Sequence, residues 1–235
     1  MNPKQISIPV IGYKIQADWY EGADDGAVLL TFVGFSSGKK RQGEFVANVV
    51  KQTGVSALVV DLSGHGESPF DLNETTPAQH LMEAVKAYDW IKDNYPERTI
   101  HVMGTSYGGF MAAYLTRFRA VAKLVLRTPA LYEPKDFYTT HQYIDKIAVR
   151  EYRKDVKAVE KHPLFLQNAL QQPATLLVVH SEDKDIPLAT SDVYQSKFGA
   201  TVYTAKGFAH AFRDSSNPQD QVPAYYQAIT NWLTK

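Results

Sequence analysis

Ile100-His101-Val102-Met103-Gly104-Thr105-Ser106-Tyr107-Gly108-Gly109 is the stretch on which the reading of this chain turns. A short, largely apolar run leads straight into a glycine-flanked serine, and a helical pattern opens near Tyr107. The serine is therefore predicted on a sharp turn between a strand and a helix. Side chains two residues before and after such a turn would collide, which accounts for glycine at both Gly104 and Gly108. A helix starting there points its free amides at any negative charge that forms beside Ser106. A five-residue pattern can arise by chance; the strand before it and the helix after it make Ser106 a candidate nucleophile.

A serine hydroxyl is a weak nucleophile at neutral pH and needs a histidine base, itself oriented by a carboxylate. Seven histidines are present. His210 lies in Gly207-Phe208-Ala209-His210, just after the last expected strand, Ala200 to Ala205, where a loop can reach back over the sheet edge. His65 also follows a strand and is a rival. His80 falls in a helix, His101 and His180 in or at the end of strands, and His141 and His162 in a helical insertion. For the acid, His180-Ser181-Glu182-Asp183-Lys184-Asp185-Ile186-Pro187 leaves a buried strand for a polar loop; Asp183 is the choice and Asp185 the alternative. An oxyanion would need two main-chain donors. Tyr107 N–H is one candidate, and Phe35 N–H, in Gly34-Phe35-Ser36-Ser37-Gly38, is the other.

Working outward, Gln5 to Val10 and Tyr13 to Trp19 alternate in polarity and read as an antiparallel pair turning at Gly12. Apolar runs at Val28 to Val33, Val55 to Val60, Thr99 to Met103, Ala122 to Leu126 and Thr175 to Val179 suit strands buried on both faces. With Ala200 to Ala205 this predicts an eight-stranded, mostly parallel sheet with helices on both faces. The clearest helix runs from Pro77 to Asn94, with Thr76 and Gln79 placed for a capping box. A second begins at or before Pro223. The segment from Pro129 to Pro173 is longer than a crossover requires and reads as a small helical lid within a single domain, residues 1–235. Its charges from Lys146 to Lys161 read as a solvated helix face, and its aromatics mainly as packing.

The 235 residues carry 25 Lys and Arg against 25 Asp and Glu, so the basic footprint of a nucleic-acid binder is missing. Zero cysteines exclude disulfides, thiolate metal sites and a cysteine nucleophile. No histidine-pair metal motif, P-loop or dinucleotide fingerprint is found, so hydrolysis without metal or cofactor is expected. The opening residues lack the apolar core of a secretory signal, and no run is long and apolar enough to cross a membrane; a cytoplasmic location is expected.

Taken together, the chain resembles the α/β-hydrolase superfamily. The elements that carry the resemblance are Gly104 to Gly109 as nucleophile elbow, Asp183 to Pro187 as acid loop, Gly207 to His210 as histidine loop, and Asp61-Leu62-Ser63-Gly64-His65-Gly66-Glu67-Ser68. In the family the histidine of that last segment is not the base, and the D-x-x-[VI]-P pattern aligns the acid with Asp183. Val33-Gly34 stands where many members have His-Gly. The resemblance implies a Ser106, Asp183, His210 triad and a lid like those of small carboxylesterases and feruloyl-type esterases. The expected substrate is an ester of a small aromatic or short acyl group, with Phe35, Tyr107, Phe137, Tyr138 and Tyr143 forming its pocket. A peptidase, thioesterase or acyltransferase could use the same triad, and a non-catalytic receptor is a further alternative that a missing triad member would signal.

Overall fold

A computed structural model describes residues 1–216 and 220–234 of the chain. Eight strands form one sheet: β1 (Lys4–Val10), β2 (Tyr13–Tyr20), β3 (Asp24–Phe32), β4 (Val55–Asp61), β5 (Thr99–Thr105), β6 (Lys123–Arg127), β7 (Ala174–His180) and β8 (Thr201–Ala205). Their spatial order is β1-β2-β4-β3-β5-β6-β7-β8. β2 pairs antiparallel with both β1 and β4, and every pairing from β3 to β8 is parallel. The sheet is thus the one expected, with β2 alone running backwards.

The period of two sorts β3 between two layers. Val28, Leu30 and Phe32 face a core shared with α2 (Pro77–Asn94), α3 (Tyr107–Leu115) and α7 (Leu188–Phe198). Leu29 faces the opposite core, with α1 (Lys39–Thr53) and α8 (Val222–Thr234). Covering both faces explains why the central strands read as unbroken apolar runs. At the start of α2 the Thr76 hydroxyl accepts from Gln79 N at 3.1 Å, the forward half of the predicted capping box. The Gln79 side chain does not fold back; its amide nitrogen donates to Tyr13 Oη and Glu83 Oε1 instead. Tertiary partners outcompete the local return bond.

Between β6 and β7 the chain makes two 3₁₀ turns, Pro134–Tyr138 and His141–Tyr143, then three short helices, α4 (Lys146–Tyr152), α5 (Val156–Glu160) and α6 (Pro163–Leu166). The Asp145 carboxylate caps α4 by accepting from Ile147 N and Ala148 N. Among the described residues no helix is long and apolar enough to cross a membrane.

Candidate active site

Ser106 sits between β5 and α3 with φ 53° and ψ −116°, a conformation that non-glycine residues rarely hold and that costs on the order of 1–3 kcal/mol. The turn is so tight that a Cβ on Gly104 would lie 2.1 Å from Gly108 O, and one on Gly108 would lie 2.4 Å from the carbonyl oxygens of Phe32 and Val33. Backbone atoms cannot yield as a flexible side chain could, so both glycines are obligatory. Three main-chain bonds hold the strained residue: Ser106 N donates to Arg127 O at 2.9 Å, and Ser106 O accepts from Ala130 N at 2.9 Å and from Phe110 N at 3.2 Å.

The Ser106 hydroxyl lies 2.9 Å from His210 Nε2, and His210 Nδ1 lies 2.7 Å from Asp183 Oδ2. A carboxylate can only accept, so the imidazole carries its hydrogen on Nδ1 and leaves Nε2 free to accept from the serine. The other Asp183 oxygen accepts from Asp185 N and Ile186 N at 2.8 and 2.9 Å. Burial pushes the Asp183 carboxyl up, but the hydrogen bond and electrostatic pull of the His210 ring, together with the two amides, outweigh it and hold it below its ordinary range. Asp185, the alternative acid, turns its carboxylate toward Arg150 Nη2 at 3.3 Å. His65, the alternative base, is buried and donates Nδ1–H to Ser63 O.

The loops that bring His210 and Asp183 together are stitched to one another. Ser181 N donates to Ala205 O, Glu182 N to Phe208 O, and Gly207 N to Ser181 Oγ. A buried relay anchors the residue next to His210: Arg127 Nε donates to Tyr225 Oη at 2.9 Å, Tyr225 Oη lies 3.0 Å from His180 Nε2, and His180 Nδ1 lies 2.7 Å from Ala209 O. Ala209 O can only accept, so His180 donates through Nδ1 and receives the tyrosine proton at Nε2. Burial lowers the His180 pKa to about 4, which keeps that tautomer neutral. By sequence alone His180 is a strand-end residue, and its proximity to Ala209 is visible only once β7 and β8 are paired.

Neither Phe35 N nor Tyr107 N has a partner within the protein among the described residues. The first lies beyond β3, whose neighbour Gly34 comes close to the Ser106 side chain, and the second is the first amide of α3. A cavity of about 280 Å³ opens on Ser106, with Phe35, Tyr132, His141, Ile144, Val149 and Arg153 among its walls. Of the five residues expected to line a pocket, Phe35 does. Tyr107 does not: its ring is fully buried, and its hydroxyl lies 2.6 Å from His80 Nδ1 and 3.4 Å from His141 Nε2. Phe137 packs against Tyr114, and Tyr138 and Tyr143 are exposed. None of these three borders the cavity that opens on Ser106. The walls come instead from Tyr132, His141 and α4, where Lys146, Val149, Arg150 and Arg153 recur at helical spacing. The reading of most of this charged run as a solvated face does not extend to Arg153, which is buried and donates to Leu131 O at 2.8 Å. The spacing was a usable signal; the direction in which it faces was not.

Asp183, Asp185 and His210 bring potential metal donors within 4.8 Å of one another. Two of the three are already bonded to each other in the hydrogen-bond chain that ends at Ser106.

The sequence matches the family described as the alpha/beta hydrolase fold over residues 31–226, and the chain belongs to that family. Solved structures agree on the fold. Est1E from Butyrivibrio proteoclasticus, solved with ferulic acid bound, superposes with a TM-score of 0.71 at 16% identity, covering 98% of this chain and 100% of that one. A hyperthermophilic esterase from Pyrobaculum calidifontis gives 0.72 at 17% identity over 99% of this chain and 85% of that one. A predicted CIB-like hydrolase from Thermoplasma acidophilum gives 0.67 at 19% identity, over 98% and 99%. No curated protein matches the sequence.

Proposed function

We propose that this protein is a serine hydrolase that cleaves carboxylic esters of small aromatic or short-chain acyl groups through an acyl-enzyme. The observation that carries the reading is the unbroken hydrogen-bond chain from Ser106 through His210 to Asp183, ending on the cavity wall. His210 removes the serine proton as Ser106 Oγ attacks the acyl carbon, and Asp183 stabilises the imidazolium that forms. The amides of Phe35 and Tyr107 receive the developing oxyanion. His210 then protonates the leaving alcohol, and water, activated by the same imidazole, releases the acid. A volume of about 280 Å³ lies at the small end of ligand clefts and supports a short acyl group. Residues 129–173 serve as the lid that shapes this cleft, within one domain spanning the chain.

The test is labelling with a fluorophosphonate, followed by peptide mapping of the adduct, alongside a panel of p-nitrophenyl esters of increasing chain length. The adduct is expected on Ser106, and Ser106→Ala is expected to lower turnover by a factor on the order of 10⁶. An adduct elsewhere would remove Ser106 from the mechanism, and preference for long chains would remove the substrate assignment.

A further inference from the structure

We propose that the ester taken by this site carries a carboxylate, held by the cationic face that α4 turns into the cavity. The proposal rests on the serine hydrolase reading and specifies its substrate. Lys146, Val149, Arg150 and Arg153 all border the cavity that opens on Ser106. Positions i, i+3, i+4 and i+7 share one side of a helix, so a single element delivers three cations to one wall.

Counter-charge on that wall is short. Asp185 is the one carboxylate bordering the cavity, and its contact with Arg150 at 3.3 Å is exposed, with side chains 63% and 45% accessible. Such a pair adds little in water and opens readily to a competing anion. Arg153 is 8% exposed. Its Nε and Nη1 donate to the carbonyl oxygens of Leu131 and Asp185, and its guanidinium lies 5.3 Å from the Tyr132 ring centre. Among the described residues no carboxylate comes within ion-pairing distance of Arg153, and Lys146 has no ion pair either. Of the other titratable groups on this wall, His141 is buried, with its pKa lowered to about 4, and burial raises that of the Tyr132 phenol, so neither adds charge at neutral pH. Three cations therefore face one carboxylate.

A buried cation whose hydrogen bonds go only to neutral acceptors, and on which Asp185 alone of the carboxylates acts, leaves favourable electrostatics unused, and an entering carboxylate would supply further countercharge. The apolar groups beside it, Phe35, Ile144 and Val149, suit the carbon skeleton between the charge and the scissile bond. Outside this wall the positive rim continues: Lys184 borders the adjoining depression that shares Arg150 and Asp185. Beyond His141, Ile144 and Lys146, which both depressions share, a second one carries in contrast Asp71, Glu74 and Asp145. The latter would suit a cationic ester, and this sets the rival outcome.

The experiment compares kcat/KM for pairs that differ in charge. One pair places the charge on the acyl side, p-nitrophenyl hemisuccinate against p-nitrophenyl butyrate. The other places it on the alcohol side, 4-carboxyphenyl against 4-carbamoylphenyl butyrate. In at least one pair the charged ester is expected to be preferred by about tenfold at low ionic strength, with the preference shrinking as salt screens it. Lys146→Gln and Arg150→Gln are expected to bring the ratio back toward one. A neutral preference in both pairs, a better choline ester, or a ratio that neither substitution changes would overturn the proposal. Titration calorimetry of Ser106→Ala with the same pairs reads recognition without turnover. Tighter binding of a carboxylate ester there supports the site even if hydrolysis fails, and equal binding of charged and neutral members overturns it whatever the catalytic outcome.

Discussion

Asp183→Asn tests the site most sharply because the surrounding bonds dictate what the new side chain must do. The amides of Asp185 and Ile186 both donate to Asp183 Oδ1, so the asparagine has to keep its oxygen there. Its nitrogen then occupies the place of Oδ2, 2.7 Å from His210 Nδ1. Two N–H groups cannot share that contact. The imidazole must carry its hydrogen on Nε2, where it faces Ser106 Oγ as a donor and can no longer accept the serine proton. The wrong tautomer lowers kcat by a factor of about 10⁴, or about 5 kcal/mol of transition-state stabilisation. The fold should survive, since the oxygen that holds the loop is retained. Asp185→Asn is the control: its carboxylate meets Arg150 in a solvent-exposed pair, so a change of less than about threefold is expected. Hydrolysis of p-nitrophenyl butyrate at neutral pH, with a thermal melt of each variant, makes the measurement. Asp183→Asn with native melting and activity within tenfold of the parent would refute the reasoning, and a collapse of Asp185→Asn instead would move the acid to that residue.

Gly104→Ala forces a methyl against Gly108 O at 2.1 Å and should cost more than about 3 kcal/mol in urea denaturation; a loss below about 1 kcal/mol would mean that the turn relaxes. Burial lowers the pKa of His101, His141, His162 and His180 to about 4, against about 6.5 in an unfolded chain. Between those values the unfolded chain binds more protons, so stability falls as pH drops, by about 1 kcal/mol per pH unit for each imidazole. The contribution of Asp183, whose pKa is depressed, is lost only at lower pH, as the medium falls through its folded value. Urea midpoints that stay level from pH 7 to pH 5 would contradict this. His180→Leu removes the anchor on Ala209 O and should lower kcat by about tenfold to a hundredfold with little change in KM. His180→Asn can still donate from the position of Nδ1 and should recover most of the loss; equal defects in both variants would make His180 merely a packing residue.

What the sequence disclosed and what it hid divide along a physical line. Strands buried on both faces are written locally, as continuous apolar runs, and so is the turn at Ser106, because Gly104 and Gly108 answer to clashes within a few residues. The positions of Asp183 and His210 at the ends of β7 and β8 followed from the order of the strands. The cavity wall did not. Tyr138, Tyr143 and Arg153 lie in the same mixed stretch, yet the first two are exposed and the third is buried. Which way each points depends on how the turns and α4 seat against Leu131 and Tyr132, contacts that no local pattern encodes. Gln79 shows the same limit on a smaller scale, since a capping residue by spacing bonds across to Tyr13 and Glu83.

The absence of room at Gly108, whose missing methyl would strike the carbonyls of Phe32 and Val33, has a consequence for how such a scaffold diversifies. The turn that presents Ser106, the nucleophile proposed above, is wedged between β5 and α3 against the end of β3, where a side chain at Gly104 or Gly108 has no room. Most of the surface a ligand meets belongs instead to one continuous ribbon, Ala130 to Arg153. A lineage, or an engineer, could exchange that ribbon beyond Ala130, whose amide holds Ser106 O, and redirect the protein toward new ligands while leaving the Ser106 turn as it stands.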